Sequence, residues 1–115
     1  MLDLNAEHRL ATYGTFPPGR ENHHVVAPIG GHWREGFLQG RTRAARRGRW
    51  TGFAGFEPLP GGPYLPAFLL EAEALPDHWA RLDAFEGEAF QRITVGFRLP
   101  EGTTLPAQVY VLADG

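Results

Sequence analysis

Apolar positions along the chain fall into short runs with two different periods. His8 to Tyr13 alternates loosely and stops at Gly14, the pattern of a strand running into a loop. Gly30 to Gly40 has glycine boundaries and an aromatic interior at Trp33 and Phe37, which predicts a strand with a kink or bulge at Gly36. Thr51–Phe56 and Tyr64–Leu70 are short apolar segments separated by Pro58-Leu59-Pro60-Gly61-Gly62-Pro63, so two strands joined by a turn are expected. Phe90–Leu99 places Ile93, Val95 and Phe97 on one face, as a half-buried strand would. After a turn at Pro100-Glu101-Gly102-Thr103, Ala107–Leu112 supplies a last strand, with Val109 and Val111 opposite Gln108, Tyr110 and Leu112.

Only one stretch has a helical period. Pro76 can open a helix, because its missing N–H is not needed at the first helical position. Trp79, Leu82 and Glu86 then follow on one face, Phe85 widens that face, and Gly87 is a natural terminator. Glu86 is thus a carboxylate on the apolar stripe of a short helix, in its last turn. Burial and the negative end of the helix dipole both disfavour its charged form, so a raised pKa is expected. Such a group can accept and return a proton near neutral pH. The same spacing also fits a Glu86 that snorkels to water or pairs with Arg81 or Arg92. Together the elements predict an α+β chain of about five or six short strands, one clear helix and long loops, folded as one domain over residues 1–115.

Composition sharpens this picture mainly through what is missing. Fifteen Gly and ten Pro in 115 residues favour a sheet-rich or barrel-like body with many turns over a helical bundle. The absence of Cys rules out disulfides, thiolate zinc sites and cysteine nucleophiles. The absence of Ser rules out a serine triad, and that of Lys rules out Schiff-base chemistry and the P-loop lysine. Carboxylates, His, Thr, Tyr, Arg and backbone amides remain, a set suited to proton transfer. No apolar run approaches the roughly 20 residues of a membrane helix, and Met1 to Asn5 has no basic, apolar leader pattern. A soluble cytoplasmic protein with no membrane partner is the expectation.

Three loop segments bear on function. Gly14-Thr15-Phe16-Pro17-Pro18-Gly19-Arg20-Glu21-Asn22 directly follows the first strand. Its successive N–H groups can form a nest for a carboxylate or oxyanion, with Thr15 adding a hydroxyl, or it is a plain turn. It is neither GxGxxG nor a Walker loop, so nucleotide binding is not expected. His23, His24 and His32 have no ligand spacing around an acid, and no metal site is expected. Arg41, Arg43, Arg46, Arg47 and Arg49 form a basic run, but net charge is −2 and no aromatic residue interleaves them before Trp50. The run is therefore expected to be a solvated loop or an interface patch rather than a nucleic-acid site.

Three segments in order resemble one family. Tyr13-Gly14-Thr15-Phe16-Pro17-Pro18-Gly19, with Asn22 beyond it, is similar to the Tyr-Gly-(Ser/Thr)-Leu loop of the gamma-glutamylcyclotransferase-like family, which includes gamma-glutamylamine cyclotransferases and avirulence-induced-gene-like domains. Leu82-Asp83-Ala84-Phe85-Glu86-Gly87, with Arg92 after it, resembles the family's Leu-Asp-x-(Phe/Tyr)-Glu-Gly signature, and Ala107 to Leu112 resembles its closing strand with a tyrosine. Phe16 and Phe90 depart from the family's usual Leu and Tyr. The resemblance implies a small mixed β-barrel in which loop and acid meet at a cavity. It further implies a cofactor-free cyclotransferase that turns a small γ-glutamyl amine or peptide into 5-oxoproline and a free amine. In that scheme Glu86 is the acid/base, Tyr13, Gly14, Thr15 and Phe16 hold the substrate, and Asn22, Arg92 and Tyr110 are further pocket residues. The alternatives are a non-catalytic small-molecule binding domain of the same fold, or an interaction module using Arg41 to Arg49. Neither the leaving amine nor the oligomeric state is specified by the sequence.

Overall fold

The computed structural model of the protein describes residues 4–113; Met1 to Asp3, part of the N-terminal segment considered above, lie outside the described residues. Six strands form one sheet: β1 (Arg9–Thr12), β2 (His32–Ala44), β3 (Ala54–Pro58), β4 (Tyr64–Glu71), β5 (Phe90–Arg98) and β6 (Thr104–Leu112). The order β1-β4-β2-β3-β6 closes on itself through a β1–β6 pairing, giving a five-stranded barrel with β5 as an extra strand along β6. The barrel is mixed, because β6 runs parallel to both β1 and β3 while the remaining pairs are antiparallel.

Closure explains why β6 does not alternate in burial as a half-exposed strand would. Ala107 to Leu112 are buried on both faces, since strand neighbours point to opposite sides and both sides are covered. Val109 and Val111 join Ala11, Leu38, Phe56, Leu69 and Phe97 in one core. Tyr110 joins Leu10, Phe16, Leu70, Leu75, Trp79 and Leu82 in the other, which lies between the barrel wall and the helices.

Strand β2 departs from expectation twice. It continues in register past Gly36 with no bulge, Gly36 facing Ala67. The glycine serves close approach instead, because a Cβ there would run into the Arg98 carbonyl and the Phe97 ring of β5. The strand also passes Gly40 and carries Arg41 and Arg43 into the sheet, against β3. Both guanidinium groups bind Glu57, at 2.7 and 2.9 Å, and hold its carboxyl below the usual range. The first part of the basic run is therefore paired strand rather than loop. A similar clamp ties three barrel strands together. Burial opposes ionisation of Glu71, but hydrogen bonds from Arg34 and Arg9 outweigh it and lower its pKa.

The helical segment is also subdivided. Pro76 lies in a 3₁₀ turn, Leu75–Asp77, and the helix proper starts at Trp79. A four-residue turn of helix, α1 (His23–Val26), precedes it in the chain, and α2 spans Trp79–Glu86. Trp79 and Leu82 are buried, and Gly87 ends α2 at φ 73°, a conformation that a side chain rarely adopts. Trp79 Nε1 donates to the Glu7 carbonyl at 2.9 Å and so anchors the start of the helix.

Tyr13, at the exit of β1, fastens the barrel end. Its hydroxyl accepts from the Phe56 N–H at 2.9 Å and donates to the Tyr110 carbonyl at 3.1 Å, joining β1, β3 and β6. Tyr13→Phe strands both partners in a region largely closed to water. It is expected to cost about 1–2 kcal/mol and to lower Tm by several degrees in calorimetry. An unchanged Tm would mean that water replaces the hydroxyl without cost.

Candidate active site

A cavity of about 180 Å³ opens where the exit of β1, the end of α2 and the approach to β3 converge. Six of the chain's eight predicted site residues line it: Tyr13, Gly14, Thr15 and Phe16 from the loop, with Glu86 across from them and Tyr110 of β6 in the wall. Asn22 and Arg92 do not line it, and each has another task.

Asn22 lies behind the loop. Its backbone N–H donates to the Thr15 carbonyl at 3.0 Å, and its side-chain amide donates to Thr15 Oγ1 at 2.8 Å. With its oxygen occupied as an acceptor, the Thr15 hydroxyl keeps its own hydrogen for a ligand. His23 holds the next carbonyl, that of Phe16, at 2.9 Å, and Arg20 donates to the Gly14 carbonyl at 3.0 Å. The loop's carbonyls are thus turned to the protein. Among the described residues the N–H groups of Gly14, Thr15 and Phe16 have no acceptor, the arrangement an anion nest requires. No three His, Asp or Glu side chains converge as metal ligands among the described residues.

Arg92 is held on the far side of Tyr110. It pairs with Asp83 at 2.9 and 3.2 Å, donates to Gln108 at 3.1 Å and stacks over the Trp79 ring at 4.4 Å. The Tyr110 hydroxyl donates to the same Asp83 carboxylate at 2.6 Å. Arg92 first, and Tyr110 with it, lower the Asp83 pKa against the effect of burial. Burial and that hydrogen bond raise the pKa of Tyr110. Asp83 of the helix motif thus supports the wall, while Glu86, one turn later, faces the cavity.

Glu86 makes no salt bridge with either Arg81 or Arg92. Arg81 donates to the Val25 carbonyl at 2.8 Å instead. Glu86 is half-buried among Phe85, Phe90 and Tyr110, and burial pushes its carboxyl up to about 7 despite the opposing charge of Arg49. A carboxylate of this kind exchanges protons readily at neutral pH.

The opposite wall comes from a segment read in sequence as a solvated loop up to Arg49 and a strand from Thr51; the strand begins only at Ala54, and Thr51 to Phe53 belong to a turn. Residues 45–53 form a flap closed at its base by two bonds of 2.8 Å, Ala45 N–H to the Phe53 carbonyl and Gly52 N–H to the Ala45 carbonyl. Trp50 donates from Nε1 to the Phe85 carbonyl at 3.1 Å and stacks against the Phe85 and Phe53 rings at 5.2 and 5.3 Å. Trp50 and Phe53 both line the cavity, and Phe53 is 49% exposed. Two aromatic residues in a glycine-bracketed segment that does not alternate were the available signal for such a wall. Thr12 is a further unforeseen lining residue, and a polar one: it is buried, and among the described residues its hydroxyl has no protein partner.

No match was found among curated proteins. Two solved structures share the fold. YkqA from Bacillus subtilis is 22% identical with a TM-score of 0.68, over 92% of this chain and 36% of its own length. At5g39720.1 from Arabidopsis thaliana is 19% identical with a TM-score of 0.67, over 93% of this chain and 69% of its own. This chain thus spans little more than a third of YkqA. The family model described as "Gamma-glutamyl cyclotransferase, AIG2-like" matches residues 10–115, and the chain belongs to that family.

Proposed function

We infer that the protein is a cyclotransferase that converts a small γ-glutamyl amine or peptide into 5-oxoproline and a free amine, with Glu86 moving the protons. The observation that carries this reading is a half-buried carboxylate, with a pKa raised to about 7, in a small apolar cavity opposite a loop with unengaged N–H groups. The cavity is smaller than the roughly 300–1,000 Å³ of drug-sized pockets, which suits an amino-acid-sized group. The α-nitrogen of the substrate attacks its own γ-carbonyl carbon, the new C–N bond closes the five-membered ring, and the original amide C–N bond breaks. Glu86 takes a proton from the attacking nitrogen and returns one to the departing nitrogen, so no external reactant is consumed. The loop N–H groups and the Thr15 hydroxyl bind the substrate carboxylate or the developing oxyanion. Ring closure is intramolecular, with effective molarities that reach about 10⁵–10⁸ M, so the site needs chiefly to fold the substrate and move protons.

The test is 5-oxoproline release from a panel of γ-glutamyl amines and dipeptides. One observation favours the alternative of a binding domain without turnover. Both tyrosine hydroxyls near the cavity are committed to the protein, and Phe90 has none. Saturable binding of the panel with no 5-oxoproline would select that alternative. Asn22→Ala gives a further check on the loop. Loss of one hydrogen bond to Thr15 is expected to lower kcat/KM about fivefold. An unchanged kcat/KM with a lower Tm would make Asn22 a brace for the loop alone.

A further inference from the structure

All eleven basic residues of the chain are arginines, and among the described residues eight of them have hydrogen-bond or ion-pair partners. Arg9 and Arg34 serve Glu71, Arg41 and Arg43 serve Glu57, and Arg92 serves Asp83. Arg20, Arg81 and Arg98 bind carbonyl, imidazole or phenol groups. Arg46, Arg47 and Arg49 make no side-chain hydrogen bond or salt bridge among the described residues, and all three are exposed in the segment that carries Trp50 and Phe53. Arg49 is the best placed. Its guanidinium lies 4.9 Å above the Trp50 ring and 5.1 Å above the Phe85 ring, and both rings line the cavity. Glu88 flanks Gly48 of this segment and makes no salt bridge among the described residues. A cationic group thus stands beside the aromatic wall of the cavity, with Arg46 and Arg47 exposed on the same segment. A guanidinium held over aromatic rings and making no hydrogen bond to the protein has its N–H groups available for a carboxylate.

We propose that Arg49, backed by Arg46 and Arg47, selects substrates whose leaving amine carries a carboxylate, so that γ-glutamyl amino acids are preferred over γ-glutamyl alkylamines. This rests on the reading of the cavity as a γ-glutamyl site. The α-carboxylate of the substrate is assigned to the loop N–H groups, and a second carboxylate, beyond the scissile amide, meets the flap. A neutral ethyl group at that place leaves the guanidinium groups to water, and a cationic one is repelled.

The experiment compares γ-glutamylglycine with γ-glutamylethylamide, which differ mainly in that carboxylate, in wild type, Arg49→Gln and the Arg46→Gln/Arg47→Gln double variant. The first readout is the ratio of kcat/KM values for 5-oxoproline release, in which any general effect of the substitution on Glu86 cancels. Wild type is expected to favour the glycine compound by about tenfold, on the scale of one charge-assisted hydrogen bond. The preference is expected to shrink to about twofold in Arg49→Gln, to an intermediate value in the double variant, and to weaken in high salt. A wild-type ratio near one, or a ratio unmoved by Arg49→Gln, overturns the proposal. The second readout is the ratio of binding constants on Glu86→Gln protein by calorimetry, which needs no turnover. If wild type releases no 5-oxoproline, an Arg49-dependent binding preference overturns the reaction but upholds the selection. Equal binding, or none, overturns the selection.

Discussion

Glu86→Gln is expected to lower 5-oxoproline release by about 10²–10⁴-fold, the range typical of general acid–base catalysis, while leaving the protein at least as stable as wild type. The amide fills nearly the same space but neither takes a proton from the attacking nitrogen nor returns one. Stability should move the other way, because the carboxylate is half-buried without an ion pair among the described residues and burial raises its pKa from 4.5 to about 7. The folded protein then holds the proton more tightly than the unfolded chain. Between pH 4.5 and about 7 the unfolded chain releases its proton first, so wild-type stability declines as pH rises through that window and levels off above it. The glutamine variant has no such decline. It should gain on the order of 2 kcal/mol over wild type at pH 8, and almost nothing near pH 4.5. Denaturant melts of both proteins at the two pH values test this alongside the activity assay. A destabilised variant at pH 8 would identify Glu86 as part of a structural network, and lost turnover would then say little about proton transfer.

That outcome is made specific by the neighbouring acid. Asp83 and Glu86 lie three residues apart on α2, yet their surroundings drive their proton affinities in opposite directions. Arg92 and Tyr110 lower that of Asp83, whereas the apolar cavity raises that of Glu86. Asp83 remains ionised and immobilises the Tyr110 wall. Glu86 is left free to change state. Environments that push two carboxylates apart in this way divide structural from chemical work.

How much of this was legible in the sequence depended on how local the cause was. The end of α2 follows from neighbours within two turns, so Glu86 could be placed on the apolar face from Trp79, Leu82 and Phe85 alone. Strand identity was likewise local for β1, β4, β5 and β6. The barrel itself came through the resemblance, because its closing β1–β6 and β3–β6 pairings join segments tens of residues apart. Arg41 and Arg43 appeared solvated because their partner, Glu57, lies across a strand register that spacing does not reveal. Thr51 to Phe53 looked like the start of β3 but belong to the flap, whose form comes from the bonds at Ala45 and from Trp50 docking on the helix end. The aromatic wall therefore needed the tertiary structure. Asn22 and Arg92 were drawn towards the cavity by motif alone. In the fold, Asn22 braces Thr15 and Arg92 braces Asp83.

The pH profile of kcat/KM should carry the same carboxylate's signature. The base form of Glu86 starts the reaction, so kcat/KM is expected to rise about tenfold per pH unit below 7 and to bend at Glu86's pKa of about 7. At pH 5 the rate constant would be about a hundredfold below its plateau. An ordinary exposed glutamate, with a pKa near 4.3, would leave the profile nearly flat over that interval. Arg49 makes the assignment testable, because its positive charge favours the ionised carboxyl and partly offsets burial. Removing that charge in Arg49→Gln raises the Glu86 pKa further, so the acidic limb should move to higher pH. Arg49→Lys keeps the charge and should leave the limb near its wild-type position. The limb reports the free enzyme, so its position should be the same for γ-glutamylglycine and γ-glutamylethylamide even where their kcat/KM values differ. A limb that moves with the substrate would belong to the ligand's own amine. One that ignores Arg49 would belong to a different protein group, and Glu86 would lose its place as the base.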